Sequence, residues 1–162
     1  MAARLPKGAA VVYRAFGAAD AEVMARRLRA VTRTRGVRLL IGADASLAAR
    51  VKADGVHLPE RLAHCVLRLK RRRPGWLISV AAHDHAAIRR GRGADAIVLS
   101  AVFPSRSPSA GPALGPLRFA QLVRASRAPI VALGGVNKKN APRLIGTGAA
   151  GLAAIDGLAA PD

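Results

Sequence analysis

Seven short apolar runs, separated by segments of helical periodicity, constrain this chain more than any other feature. They lie at Ala9–Tyr13, Val37–Ile41, Gly55–Leu58, Leu77–Ala81, Ala96–Ala101, Ile130–Leu133 and Gly151–Ile155. Nearly continuous apolar runs of this length are what strands of a parallel sheet look like when helices cover both faces. The segments between them, around Asp20–Thr34, Ser46–Lys52, Glu60–Arg72, Asp84–Arg92, Pro116–Arg127 and Asn137–Thr147, carry apolar residues three and four apart. Such spacing predicts amphipathic helices; in one of them Leu117, Ala120, Gln121, Leu122 and Val123 are expected to form the stripe facing a sheet. The order is β-α-β-α throughout.

That alternation admits an open doubly wound sheet or a closed barrel. No Gly-rich nucleotide fingerprint follows the first strand, and phrases such as Ala53-Asp54-Gly55 and Gly93-Ala94-Asp95 lead into strands by a common helix, turn, small residue, strand grammar. The expectation is an α/β fold of the TIM (β/α)8 type with about seven parallel strands, forming one domain over residues 1–162. A full barrel of this class takes at least about 200 residues. With 162 residues, the chain is expected to lack one strand–helix unit, at its N-terminus.

Composition narrows the function classes. Hydrophobic residues make up 51% of the chain, enough for one sizeable core, and the apolar runs are far too short to cross a bilayer. The opening Met1-Ala-Ala-Arg-Leu-Pro-Lys-Gly has no apolar stretch of signal-peptide length, and the single cysteine, Cys65, has no internal disulfide partner, so a cytoplasmic location and no membrane partner are expected. The formal charge of +18 can attract nucleic acid or phosphorylated small molecules. Its densest runs fall on helices and their exits, and Tyr13, Phe16, Trp76, Phe103 and Phe119 all lie outside them, which argues against a base-stacking surface.

Candidate chemistry gathers at the carboxyl ends of the strands, where barrel proteins build their sites. Gly134-Gly135 follows the strand Ile130–Leu133 and precedes a helix start. Glycines let a phosphate approach backbone N–H groups, and a helix N-terminus adds partial positive charge; a plain tight turn is the ordinary alternative. Residues 151–157, with Ile155 and Asp156, offer the second half of a phosphate site. His83 follows the strand Leu77–Ala81 and could take and give a proton near neutrality, or serve only as a polar residue at a helix start. Arg14 ends the first strand, where a cation could meet an anionic ligand. Ser105, Arg106 and Ser107, in the Ser-, Pro- and Gly-rich loop Pro104–Gly115, could hydrogen-bond a phosphate, or the segment could be a flexible loop only. His57 at a strand end reads as a structural hydrogen-bonded residue, and His85 as exposed. The four histidines and Cys65 show no metal-ligand spacing, and Asp44 with Glu60 makes a weak pair for a hard cation.

At these residues the chain resembles the thiamine-phosphate synthase and TenI superfamily of (β/α)8 barrels. The phrases carrying the resemblance are Ala53-Asp54-Gly55-Val56-His57-Leu58, Ile78-Ser79-Val80-Ala81-Ala82-His83, Gly93 through Ser105, Ala113-Leu114-Gly115, Pro129 through Asn137, and Gly148 through Ile155. They cover most of residues 36–158 in the family's order. The synthase pattern of a Gln-x-Arg-x-Lys strand end becomes Val12-Tyr13-Arg14-Ala15-Phe16, keeping the Arg. Its Asn-Asp pair becomes Gly42-Ala43 with Asp44 one place late, Leu62 stands at its second metal-binding Asp, and its Thr-Pro-Thr-Lys loop reads Ser105-Arg106-Ser107-Pro108.

The resemblance therefore implies a TenI-like protein of thiamine biosynthesis or salvage. It would bind a phosphorylated thiazole or thiamine phosphate through Gly134, Gly135, Ile155 and Asp156, with His83 as the acid/base of a thiazole tautomerase. No cofactor is implied, magnesium entering only if synthase activity is retained. The alternatives are a synthase with a degenerate diphosphate and metal site, a non-catalytic phosphate-ligand-binding or regulatory protein, and a basic nucleic-acid binder. A homo-oligomer would give an incomplete barrel a way to close.

Overall fold

The structure, a computed structural model, describes residues 5–15, 17–105 and 111–155. Two compact units, Met1–Ile78 and Ser79–Asp162, divide the chain. Both are built from parallel strands alternating with helices, as the apolar runs predict.

The first unit contains β1 (Ala10–Tyr13), α1 (Ala21–Arg35), β2 (Arg38–Gly42), α2 (Ala45–Arg50), β3 (Gly55–Leu58), a 3-10 helix (Glu60–Cys65), α3 (Val66–Arg72) and the start of β4 (Leu77–Ala82). β1 pairs in parallel with β2, and β2 with β3. Leu39, Ile41, Val56 and Leu58 are buried, which is why these strands read as unbroken apolar runs. Gly36 ends α1 in the left-handed conformation. Its N–H reaches Arg33 O while Val37 N–H reaches Thr32 O, so the helix's last carbonyls are satisfied as the chain turns into β2.

Asp54 knits this unit together. Its Oδ2 accepts from Arg29 Nη1 at 2.6 Å and from the Leu39 N–H at 2.8 Å, and its own N–H donates to Leu39 O at 2.9 Å. The next residue must be glycine, because a Cβ on Gly55 would overlap the Leu77 backbone. Glu22 joins α1 to α2 by accepting from Arg50 Nε at 2.8 Å and from Arg26. These two partners, Arg50 first, hold its carboxyl below the usual range.

The second unit continues β4 and adds α4 (His85–Arg90), β5 (Ala96–Leu99), α5 (Gly115–Arg124), β6 (Ile130–Ala132), a 3-10 helix (Ala141–Leu144) and β7 (Gly151–Leu152). β4 pairs in parallel with β5, β5 with β6 and β6 with β7. Its core holds Phe119, Leu99, Ile97, Ile130, Ala132 and Val102. Asp84 starts α4 by accepting from the Ala87 N–H at 2.7 Å, which fixes where the chain turns after His83.

Two expectations are corrected here. The helix expected over Asn137–Thr147 is a single 3-10 turn at Ala141–Leu144. Asn137 Oδ1 captures the N–H groups of Lys139 and Asn140, Asn140 Oδ1 captures that of Asn137, and Pro142 lacks a donor, so side chains replace the helical ladder. The stripe of α5 is also displaced: Phe119 and Ala120 are buried and Leu122 and Val123 pack on the core, whereas Leu117 is 74% exposed and Gln121 is exposed too.

Candidate functional site

At the carboxyl ends of β5 and β6 the backbone closes on itself. Val102 N–H donates to Leu133 O at 2.9 Å and Phe103 N–H to Gly134 O at 3.0 Å, zipping the exit of one strand to the exit of the next. Gly134 and Gly135 have φ of 93° and 65°, where side chains are strained. A Cβ on Gly134 would stand 2.7 Å from Ala101 Cα, and one on Gly135 would overlap the Pro104 carbonyl and stand 2.9 Å from Phe103 Cβ. Close backbone packing therefore explains why both residues are glycine.

What the packing leaves over is a row of donors. Among the described residues, no acceptor meets the N–H groups of Gly134, Gly135 or Val136. Three consecutive amides without partners form the kind of concavity that takes an anion. The Gly135 carbonyl beside this row is occupied by side-chain donors, Asn140 Nδ2 at 2.8 Å and Asn137 Nδ2 at 3.4 Å. Sequence reading missed Asn140; its only signal was an Asn placed three residues after Asn137. With the helix after the turn replaced by one 3-10 turn, helix-dipole assistance is removed. Exposed Lys138 and Lys139 supply the nearby positive charge instead.

His83 is exposed just beyond β4, and its Nδ1 lies 3.0 Å from Ser100 O and 3.3 Å from Ser100 Oγ. A carbonyl only accepts, so the proton sits on Nδ1 and the Nε2 lone pair faces away from Ser100. Ser105 follows Pro104, whose carbonyl abuts Gly135, and is half-buried. Ile155 lies three residues beyond the end of β7 with its side chain 61% exposed. Arg106, Ser107 and Asp156 lie outside the described residues. His85 begins α4 and is exposed, as expected.

In the first unit, Arg14 extends from β1 across β2: a Cβ on Gly42 would stand 3.0 Å from Arg14 Cγ. Gly42 is in register with His57 on β3. Burial, reinforced by the Arg14 charge, lowers the His57 pKa to about 4, so this ring is neutral near pH 7. Asp44 is committed to structure, its Oδ1 accepting from the Leu47 N–H at 2.8 Å as the cap of α2. Among the described residues, no three His, Cys, Asp or Glu side chains gather as metal ligands, and no helix is long and apolar enough to cross a membrane.

Comparison with known proteins identifies the family. The family model described as thiamine monophosphate synthase (TMP-TENI) matches residues 2–158. A thiamine-phosphate synthase of Azoarcus sp. is 38% identical over 148 residues, 85% of this chain and 69% of that protein. One from Archaeoglobus fulgidus is 33% identical over 143 residues, 85% of this chain and 65% of that protein. The chain thus spans about two thirds of the length of the curated relatives it matches. The solved thiamine phosphate pyrophosphorylase from Pyrococcus furiosus superposes with a TM-score of 0.78 at 24% identity, over 95% of this chain and 75% of that one, and shows the expected barrel-type α/β fold. By the match over residues 2–158 and the identity to these synthases, the chain belongs to the thiamine monophosphate synthase family.

Proposed function

We propose that this chain serves thiamine biosynthesis as a thiamine-phosphate-synthase-type protein, holding the phosphate of a phosphorylated thiazole or of thiamine phosphate on the Gly134–Val136 turn. The observation that carries this reading is the row of three backbone N–H groups left without acceptors among the described residues. A phosphate meeting them gains charge-assisted hydrogen bonds from donors whose orientation the packing of Gly134 and Gly135 has already fixed. The relatives' names favour the synthase over the thiazole tautomerase that the sequence resemblance suggested.

The synthase reaction of the resemblance uses a magnesium-held diphosphate, and the residues present do not fit that ion. Ala43 and Leu62 stand where the pattern has carboxylates, and Asp44 is drawn into the α2 cap. No step is therefore assigned to a metal. This chain's own groups bind and orient the phosphorylated thiazole, and His83 can move a proton at Nε2. That capability keeps a second reading, the tautomerase, on one specific observation: the ring is exposed and held in one tautomer by Ser100 O.

Calorimetric titration with the thiazole phosphate, thiamine phosphate and inorganic phosphate tests the binding claim. The organic phosphates should bind more tightly than inorganic phosphate, and Asn140→Ala, which leaves the Gly135 carbonyl only the longer 3.4 Å contact from Asn137 Nδ2, should weaken them by a few-fold through loosening of the turn. Absence of binding by every phosphate would overturn the proposal. Incubation with the thiazole phosphate and the pyrimidine diphosphate then separates joining from isomerisation by the product formed.

A further inference from the structure

Two residues of one short segment reach back to the Gly134 turn. Asn140 does so through its Nδ2 on the Gly135 carbonyl, and Arg143 through the ring of Phe103, whose centroid lies 5.3 Å from the guanidinium carbon. Asn140 caps the 3-10 turn Ala141–Leu144, and Arg143 stands three positions on, where 3-10 geometry eclipses side chains, so both lie on one side of the segment. Ala141 and Leu144, likewise three apart, pack on the core.

Each grip on a carbonyl aims the amide that follows it, because the C=O of one residue and the N–H of the next share a rigid peptide plane. Asn140 on the Gly135 carbonyl thus sets the Val136 N–H, and the Phe103 N–H, donating to Gly134 O at 3.0 Å, sets the Gly135 N–H. Phe103 is only 5% exposed, and a Cβ on Gly135 would stand 2.9 Å from its Cβ, so there is no slack between this residue and the turn. Whatever holds the Phe103 ring therefore holds the Gly135 amide.

The ordinary roles of an arginine leave this contact unexplained. Complementing the carbonyl end of a helix needs a run of aligned dipoles, and this helix has a single turn. Among the described residues, no carboxylate pairs with Arg143. The guanidinium lies within the distance, about 6 Å, at which a cation is attracted to an aromatic face.

We infer that Arg143 is a positioning residue of the phosphate turn: its guanidinium holds the Phe103 ring, and the Phe103 N–H, through the Gly134 carbonyl, aims the Gly135 N–H at the ligand. This rests on the phosphate reading of the Gly134–Val136 turn and makes its affinity depend on a side chain acting through another.

The test uses the full chain, with thiazole phosphate as the calorimetric probe. Arg143→Met keeps an apolar cover on the ring and removes the cation, Arg143→Lys returns a cation, Phe103→Leu removes the ring, and Arg124→Met takes the same charge from the end of α5. Arg143→Met should weaken binding about two- to fivefold, the worth of an exposed cation–π contact, with Arg143→Lys recovering part of the loss and Arg124→Met matching the wild type. In the Phe103→Leu background, Arg143→Met should cost no further affinity. A second measurement needs no ligand: in nitrogen-15 amide spectra, Arg143→Met should shift the Gly135 resonance and Arg124→Met should not. Should Phe103→Leu fail to fold, the spectra and the Arg143 variants decide. Wild-type affinity in Arg143→Met, an unmoved Gly135 amide, or equal losses with and without the ring would each overturn the inference and leave the phosphate reading in place. Absence of thiazole-phosphate binding by the wild type would overturn that reading and the inference together.

Discussion

The Nδ1 of His83 lies 3.0 Å from the carbonyl oxygen of Ser100, a residue seventeen positions away at the end of the neighbouring strand. One hydrogen bond across β4 and β5 thus orients the ring and favours the tautomer with the proton on Nδ1. The same strand ends bring the Gly134 turn against Ala101–Pro104, so one piece of backbone supports both the candidate proton carrier and the candidate phosphate grip.

If His83 moves a proton, His83→Ala should lower turnover in a tautomerase assay by about 10²–10⁴-fold while phosphate-ligand binding and the melting temperature stay nearly unchanged, since the side chain is exposed. Ser100→Ala removes only the 3.3 Å hydroxyl contact and keeps the carbonyl, so it should cost no more than a few-fold. Nitrogen-15 spectra of the ring should show the proton on Nδ1. Undiminished turnover in His83→Ala would remove the residue from the mechanism.

Gly135→Ala places a methyl group into the Pro104 carbonyl at a φ of 65°, and neither chain can yield without breaking the bond between Phe103 N–H and Gly134 O. The expected loss of stability is about 2–4 kcal/mol, accompanied by loss of thiazole-phosphate binding. Leu117→Ala serves as the contrast. With its side chain 74% exposed, that change should stay within about 0.5 kcal/mol in a urea titration.

The strands β2 to β6 were legible because a strand covered on both faces needs apolar residues at nearly every position; β1 and β7 are half-exposed and were found from their apolar composition alone. β3 is found with the predicted bounds, Gly55–Leu58. Helix boundaries were legible where a carboxylate caps the first turn, as Asp44 and Asp84 do. After β6 the periodicity misled, because Asn137 and Asn140 spend their side chains on nearby backbone groups and the residues continue as turns. The Leu117 stripe misled for another reason: Phe119, with more apolar area to bury, sets the face of α5 that turns inward. Partners far apart in sequence, such as Ser100 for His83 and Arg29 for Asp54, leave no local spacing to read.

Asp54 was legible only as part of a turn phrase, yet it joins Arg29, the Leu39 amide and, at 3.7 Å, Arg38. Asp54→Ala strips Arg29 of its partner and leaves the Leu39 N–H unsatisfied in a part-buried setting, which should cost about 2–4 kcal/mol. Arg38→Gln should cost under about 0.5 kcal/mol, because its side chain is 65% exposed and its contact long. Urea unfolding of the two variants checks the contrast. Equal effects would show that the pairing with Arg29 and Leu39 is not what Asp54 contributes.

The His57 ring gives the fold a pH dependence whose sign follows from its proton balance. In the folded chain its pKa is lowered to about 4 by burial and by the Arg14 charge, whereas in the unfolded chain it returns to 6.5. Between these values the unfolded state binds the proton and the folded state does not, so stability falls as pH drops from about 6.5 toward 4 and levels off below. Above pH 6.5 both states are neutral and the contribution is constant. The full shift corresponds to on the order of 3 kcal/mol. In urea titrations at pH 7.5 and 4.5, His57→Gln should lose less stability between the two pH values than the wild type. Arg14→Gln should narrow the same gap by a smaller amount, because burial is the larger cause. Parallel losses in wild type and His57→Gln would mean that the acid sensitivity comes from other groups.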